Sequence, residues 1–341
     1  MLRNLLHECI EGKTLSRAEA EEAMNEIMSG EATSSQIASL LSILRFRGET
    51  TDELTGFAQA MRKHMNTLKL DNKEEVIDTC GTGGDGVSSF NISTASAIIA
   101  SSLGIKVAKH GNRAVSSKSG SADVLEQLGI SIQSTPEEAN QALKETNMTF
   151  LFAPNYHAAM KHAVAPRKEI GFRTVFNLLG PLSNPAQSKR QVIGVYDTKL
   201  ALKMAETLKT LGSTHVLFVT GRDGLDEISI TTDTDVVELK DGQITSYTIH
   251  PSDFQLPVGN LDDIRADSVE ESAKLILNVF NNLANESARN TLILNAGAAI
   301  YVSGKAASLK EGVDLAREAI DTKKVIHHLQ ELSSKEVHHY A

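Results

Sequence analysis

The 341-residue sequence predicts an α/β protein, with a small all-helical domain followed by a larger domain whose mostly parallel central sheet is flanked by helices. Three observations lead there. The first 65 residues carry only helix-period apolar patterns with capping signals. From about residue 75, short apolar strands alternate with helical stretches, the rhythm of βαβ units. Two loops rich in glycine and hydroxyl side chains each follow a strand and precede a helix.

The helical part reads element by element. Leu2, Leu5, Leu6, Cys9 and Ile10 share one helical face. Ser16 with Glu19 is a capping box opening a second helix (Ala20, Ala23, Met24, Ile27) that Gly30 stops. Thr33 with Gln36 opens a third (Ile37, Leu40, Leu41, Leu44), ended by Gly48, and Thr50 with Glu53 a fourth (Leu54, Phe57, Ala58, Met61). Four short amphipathic helices bury little area alone, so they require the rest of the chain or another subunit.

The sheet domain follows. Val76-Ile77 reads as a strand, then a glycine loop, then a helix from about Ser93 to Leu103. Ile105–Ala108 is a second strand, followed by a basic loop and a helix through Gly129; Thr135-Pro136-Glu137-Glu138 caps another helix. Phe150–Phe152, Val192–Val195 and Val216–Val219 supply further strands, and VVELKDGQITSYTI is a hairpin turning at Asp241-Gly242. The end returns to helix, with Ala273, Leu275, Ile276, Val279 and Phe280 and later Ala296–Ile300 as buried faces. We place a helical domain at 1–72 and the α/β domain at 73–341.

Composition narrows the class of function. A net charge of −9 and 4% aromatics with no tryptophan argue against nucleic acid and acidic membranes as partners. No apolar run approaches the roughly 18 residues of a membrane span, and Glu8 and Glu11 break any signal-like segment, so the expected location is the cytoplasm. Cys9 and Cys80 form neither a disulfide framework nor a zinc pattern; Cys80, beside the glycine loop, reads as a packing residue rather than a nucleophile. A small-molecule enzyme is the class that remains.

In a parallel sheet, ligands bind beyond the carboxyl ends of the strands, where both unusual loops lie. Residues 78–93, DTCGTGGDGVSSFNIS, hold four glycines within six positions and offer bare backbone N–H groups and a helix N-terminus to an anion. The spacing matches neither a Walker loop nor a dinucleotide fingerprint, and a structural turn is an alternative. Asp85 would repel a bare phosphate and suits a ribose hydroxyl or a metal-bound ligand. The second loop, KHGNRAVSSKSGS, combines Lys109, Arg113 and Lys118 with serines and glycines, chemistry suited to phosphate or pyrophosphate oxygens. Asp226-Glu227, just past a strand, are apt ligands for Mg²⁺, although an isolated acid pair is more often a solvated turn; Asp223 nearby is set aside.

The segments GTGGD, NIST at 91–94, KHGNRAVSSKSGSADVLEQLG at 109–129, RTVFNLLGPLSNP at 173–185 and DEIS at 226–229 together resemble the anthranilate phosphoribosyltransferase family, in one order along nearly the whole chain. The resemblance implies transfer of phosphoribose from phosphoribosyl pyrophosphate (PRPP) to the amine of anthranilate in tryptophan biosynthesis, by a homodimer joined through its helical part. It implies PRPP contacts at Gly81, Gly84, Asp85, Ser89, Asn91, Ile92, Ser93 and Thr94. It implies phosphate contacts along Lys109, His110, Gly111, Asn112, Arg113, Ala114, Val115, Ser116 and Ser117, with Ser121. Two Mg²⁺ ions would be bound by Ser93, Asp226 and Glu227, and anthranilate by Gly81, Asn112 and Arg167. Ser89 stands where many members have threonine and keeps the hydroxyl. No acid–base residue is implied; Lys109 and Mg²⁺ stabilise the leaving group, and His110 and His157 either pack or line the aromatic pocket. A pyrimidine nucleoside phosphorylase shares the architecture but needs no acid pair, and a nucleic-acid-binding paralogue should be basic with eroded motifs.

Overall fold

The computed structural model describes residues 1–70, 75–83, 86–114 and 118–334. The chain opens with helices α1 (Leu2–Ile10), α2 (Arg17–Ser29), α3 (Ser34–Arg47) and α4 (Thr51–His64). Ser16, Thr33 and Thr50 each cap a helix, and Glu19, Gln36 and Glu53 complete the reciprocal capping boxes read from the sequence. Glu53 is wholly buried and also takes the Leu15 N–H at 2.8 Å and an Arg47 N–H at 2.6 Å, tying the start of α4 to α3 and to the turn before α2.

The second part begins with β1 (Ile77–Gly81), α5 (Ile92–Ser102), β2 (Val107–Gly111), α6 (Ser121–Gln127), α7 (Pro136–Thr146) and β3 (Met148–Phe152). The chain then crosses α8 (Ala153–Tyr156), α9 (Lys161–Ile170) and α10 (Val175–Leu182) before β4 (Arg190–Gly194), α11 (Thr198–Thr210), β5 (His215–Gly221), β6 (Thr234–Lys240) and β7 (Gln243–Ile249). Helices α12 (Val269–Phe280), α13 (Glu286–Val302), α14 (Leu309–Asp321) and α15 (Lys324–Ser334) close it. The strands form one sheet of order β3-β2-β1-β4-β5-β6-β7. The first five pair in parallel, and β6 and β7 add an antiparallel edge turning at Asp241-Gly242.

The alternation of side chains across these strands builds two apolar faces. Ile77, Val107, Phe150, Val192, Leu217 and Val219 pack beneath α5 and α13. Ile193, Val195, Val216, Phe218, Val237 and Leu239 share the opposite core with α1–α4, with Ala163 of α9, and with Val175, Phe176, Leu178, Leu179 and Leu182 of α10. No described helix is long and apolar enough to cross a membrane.

Two strand boundaries correct the sequence reading. β1 and β2 run on to Gly81 and Gly111, past the expected ends at Ile77 and Ala108. Asp78, Thr79, Lys109 and His110 look like loop residues because they are polar, yet all four are buried within strands. The sheet satisfies their backbone, and neighbouring polar groups satisfy the side chains of Asp78, Thr79 and Lys109, so apolar periodicity cannot find them. Lys109 and His110 therefore belong to a strand and not to the loop that follows it.

A buried polar cluster pins the antiparallel edge. Glu238 Oε1 accepts from His215 Nε2 at 2.8 Å and from the Tyr301 hydroxyl at 2.9 Å, while Oε2 accepts from the Tyr247 hydroxyl at 3.0 Å. Burial pushes the Glu238 carboxyl upward, but the hydrogen bonds from His215, Tyr301 and Tyr247 outweigh it and hold the group below its usual range. A carboxyl depressed on folding contributes stability that is present above its unfolded pKa of about 4.3 and is lost as pH falls through the folded value. Glu238→Gln is accordingly expected to cost about 1–3 kcal/mol at pH 7 and to flatten the fall of Tm below pH 5. Calorimetric melts of both proteins from pH 7 to pH 3 check this.

Candidate active site

Strand order reverses on either side of β1: β2 and β3 lie to one side and β4 onward to the other. The crevice at such a reversal is where open α/β sheets bind ligands. Here its floor is a pair of glycines, since Gly81 at the end of β1 is in register with Gly194 at the end of β4. Asp226 rests on both. A Cβ on Gly194 would lie 1.6 Å from the Asp226 carbonyl oxygen, and one on Gly81 would lie 2.5 Å from Asp226 Oδ2. Only glycine leaves room for the acid at this height.

Backbone donors then gather around the acid pair. The Gly83 N–H donates to Asp226 Oδ2 at 2.9 Å, and the Ser93 N–H, at the start of α5, donates to Glu227 Oε1 at 3.1 Å. The acid pair thus draws together the first glycine loop and the mouth of α5. Asp223 braces the turn that carries it: Oδ2 accepts the hydroxyls of Ser229 and Thr231, each at 2.5 Å, and Oδ1 accepts the Leu225 N–H at 3.3 Å. Set aside as a ligand by sequence, Asp223 serves as the strut.

Beneath the pair lies Lys109, 1% exposed. Its ammonium donates to the Thr79 carbonyl at 2.5 Å and to Ser93 Oγ at 3.4 Å. Burial lowers the Lys109 pKa, while Asp78, Cys80 and Glu227 pull it back up. Burial raises the pKa of Asp78; Lys109 opposes that, as do hydrogen bonds from Asn184 Nδ2 at 2.8 Å and the His110 N–H at 3.2 Å. Asn184 also donates to the Ala108 carbonyl at 2.9 Å, so the LSNP segment after α10 is stitched to β1 and β2 at once. Next to it, the rings of His110 and His157 meet at a centroid distance of 5.0 Å.

The second loop is more engaged than its sequence suggests. Arg113 forks onto α6, reaching Asp123 Oδ1 at 2.8 Å and the two oxygens of Glu126 at 2.6 and 2.9 Å. Lys118 pairs with Asp267. Ser121 Oγ donates to the Asn112 carbonyl at 3.2 Å, and Ala114 N–H donates to Asp123 Oδ2 at 2.9 Å. Exposed pairs like those of Arg113 and Lys118 are weakened by solvent screening, so a multiply charged anion can compete for either cation. Asn91 links the two loops, accepting the Ser119 hydroxyl at 2.6 Å and the Ser272 hydroxyl at 2.7 Å. Arg167, on α9, is half-buried with its guanidinium 5.0 Å above the Phe176 ring and makes no side-chain hydrogen bond to another described residue.

Comparison with known proteins places this geometry. Residues 73–325 match the model of the glycosyl transferase family a/b domain, and residues 3–65 match that of its helical bundle domain. The anthranilate phosphoribosyltransferase of Geobacillus sp. (strain WCH70) is 64% identical over 341 residues, all of both chains, and that of Bacillus subtilis (strain 168) is 56% identical over 340 residues. The chain belongs to the anthranilate phosphoribosyltransferase family. Among solved structures, the anthranilate phosphoribosyltransferase of Thermus thermophilus superposes with a TM-score of 0.90 at 39% identity, covering 96% of this chain and 98% of that one. The Saccharomyces cerevisiae enzyme in complex with PRPP and Mg gives 0.88 at 27% identity, covering 98% of this chain and 97% of that one.

The residues that the family resemblance singled out fall into three groups. Gly81, Ser93, Asp226, Glu227 and Lys109 converge at the switch point. Ser89, bridged to Arg265, and Asn91, Ile92 and Thr94 line the entry to α5, while His110, Gly111, Asn112, Arg113, Ala114 and Ser121 follow along the end of β2 and its loop. Arg167 stands apart on α9, and Gly84, Asp85, Val115, Ser116 and Ser117 lie outside the described residues. Sequence reasoning missed Gly194, Asp78 and Asn184. The motif LSNP already contained Asn184, and a glycine ending the strand RQVIG was the one available sign of Gly194.

Burial pulls the His110 pKa down to about 3 and the His157 pKa down to about 4. Both imidazoles are therefore neutral at physiological pH. Their contribution to stability is whole above the unfolded pKa of about 6.5 and is lost as pH falls toward these folded values. Ring-proton NMR titration is expected to show neither histidine protonating between pH 9 and pH 5.5.

Proposed function

We infer that the chain transfers the phosphoribosyl group of PRPP to the amine of anthranilate, releasing pyrophosphate, a step of tryptophan biosynthesis. The observation that carries this reading is the meeting of Asp226-Glu227 with the glycine loop and the N-terminus of α5 at the sheet's switch point.

In this reaction the bond from the anomeric carbon to the pyrophosphate oxygen breaks and a bond from the aniline nitrogen to that carbon forms. Negative charge grows on the leaving oxygens, and the amine nitrogen ends by losing a proton to solvent. The arylamine is neutral at pH 7, so no strong base is needed before attack. Catalysis then rests on positioning and on stabilising the leaving charge. The N-terminus of α5 lies at this rim, where the helix dipole favours an anion. The ammonium of Lys109 sits beneath that rim and adds positive potential from inside. Arg113 and Lys118 exchange their surface carboxylates for phosphate oxygens when the substrate arrives.

Magnesium fits the donor set. Asp226, Glu227 and Ser93 Oγ are hard oxygen ligands, and the remaining positions would fall to substrate oxygens and water. Two ions held by these residues would neutralise the diphosphate and ease its departure. For anthranilate, the carboxylate would pair with the Arg167 guanidinium, whose donors have no other described partner, with Gly81 and Asn112 nearer the sugar. The neutral rings of His110 and His157 suit the flat aromatic face.

We further divide the chain into a helical domain at 1–72 with a return at about 160–185 and a PRPP-binding domain at 73–341, active as a cytoplasmic homodimer. The return is supported by α9 and α10, which share a core with α1–α4 and with one face of the sheet. Support for the dimer comes from α1 and α3, which pack together and leave Ile10 73% and Phe46 95% exposed.

Two outcomes test this reading. Anthranilate fluorescence should decay only when protein, PRPP and Mg²⁺ are all present, and Asp226→Asn/Glu227→Gln should slow it at least a hundredfold. Phe46→Glu should shift the light-scattering mass in solution toward that of one chain.

A further inference from the structure

Helix α13 runs beneath the switch point and is almost wholly buried. Its interior is apolar apart from a few side chains, one of which is Asn295, 2% exposed. The carboxamide spends its hydrogen bonds in an unusual way. Oδ1 accepts the Ile228 N–H at 2.9 Å, Nδ2 donates to the Ile228 carbonyl at 3.0 Å, and Nδ2 also donates to the Thr291 carbonyl on its own helix at 3.0 Å. One side chain thus imitates a neighbouring strand for a single residue, fixing the peptide planes on both sides of Ile228.

Ile228 directly follows Glu227. Locking both its peptides sets the direction in which the Glu227 side chain leaves the backbone. Asn295 and Glu227 line the same small cleft together with Thr79 and Ser93, so the clamp acts within a few ångströms of the carboxylate. The opposite end of the turn is held by Asp223 and the floor by Gly81 and Gly194. Without the carboxamide, Ile228 would have a buried N–H and carbonyl with no partner, each costly to leave unmade. A leucine would pack a helix buried among leucines and alanines equally well. What it would lack is the two-point grip on the acid-bearing segment.

We propose that Asn295 is a positioning residue for the metal-binding acid pair: it holds Glu227 where a divalent cation on the sugar diphosphate can use it. The inference rests on the reading that Asp226 and Glu227 bind the metal.

Mn²⁺ binding, followed by electron paramagnetic resonance with PRPP and no anthranilate, tests it without turnover. Wild-type protein should bind Mn²⁺ tightly, and Asp226→Asn/Glu227→Gln should abolish that binding. Asn295→Leu should weaken it at least tenfold and raise the Mg²⁺ needed for half-maximal rate by a similar factor, leaving the KM for anthranilate within twofold. Thr291→Val, which removes a buried hydroxyl bonded only within α13, controls for lost helix stability and should leave Mn²⁺ affinity unchanged. Should Asn295→Leu fail to fold, Asn295→Ser provides the same comparison with less change in polarity. Tight Mn²⁺ binding that survives loss of both acids would overturn the reading of the metal site. Binding that needs the acids but is within twofold of wild type in a folded Asn295 variant would overturn the role given to Asn295 alone.

Discussion

Asp226 can sit at the mouth of the sheet only because two strands end there without side chains. Gly81 and Gly194 are neighbours across the β1–β4 pairing, and the acid lies against both at distances that no Cβ could share. Much else follows from that contact. It brings the 221–231 turn down onto the switch point, puts the carboxylate within reach of the Gly83 N–H, and leaves Glu227 facing the first amide of α5 that can receive it. A bulkier residue at Gly194 would lift the turn, and one at Gly81 would push the Asp226 carboxylate aside, in either case moving the acid away from the glycine loop.

The charges around this contact are layered. Two carboxylates stand at the rim, the Lys109 ammonium lies one residue depth below them, and Asp78 is buried alongside in the sheet. Each buried charge has hydrogen-bond partners: Thr79 and Ser93 for the lysine, Asn184 and the His110 amide for Asp78. A charge in low dielectric without such partners would neutralise or destabilise the fold. Partnered, it supplies a fixed, preorganised field at the rim. The same sheet therefore provides the structural satisfaction of these groups and the electrostatics of the site.

The helical segments complete the crevice from the other side. The chain leaves the sheet after β3, packs α9 and α10 against α2–α4, and returns through Asn184 to β1 and β2. Arg167 comes with α9, half-buried over Phe176. Arg167 and the acid pair thus belong to different packing layers, with Asn184 stitching the segment after α10 to the sheet.

Much of this could be read from the chain alone. Capping boxes at Ser16, Thr33, Thr50 and Thr135, the glycine stop at Gly30 and the hairpin turn at Asp241-Gly242 depend on residues three or four apart, and local spacing encodes them directly. The alternation of strand and helix and the glycine-rich and acidic segments were legible for the same reason. Tertiary structure alone decided that Lys109 and His110 lie inside a strand, that Arg113 rests on Asp123 and Glu126, and that Asp223 is a strut. It also chose the partners of the acid pair: Glu227 meets Ser93 across 134 positions of sequence, and Asn295 grips Ile228 across 67. Such contacts join residues with no local relation, and nothing in either segment signals its mate until the sheet has set the order of its strands.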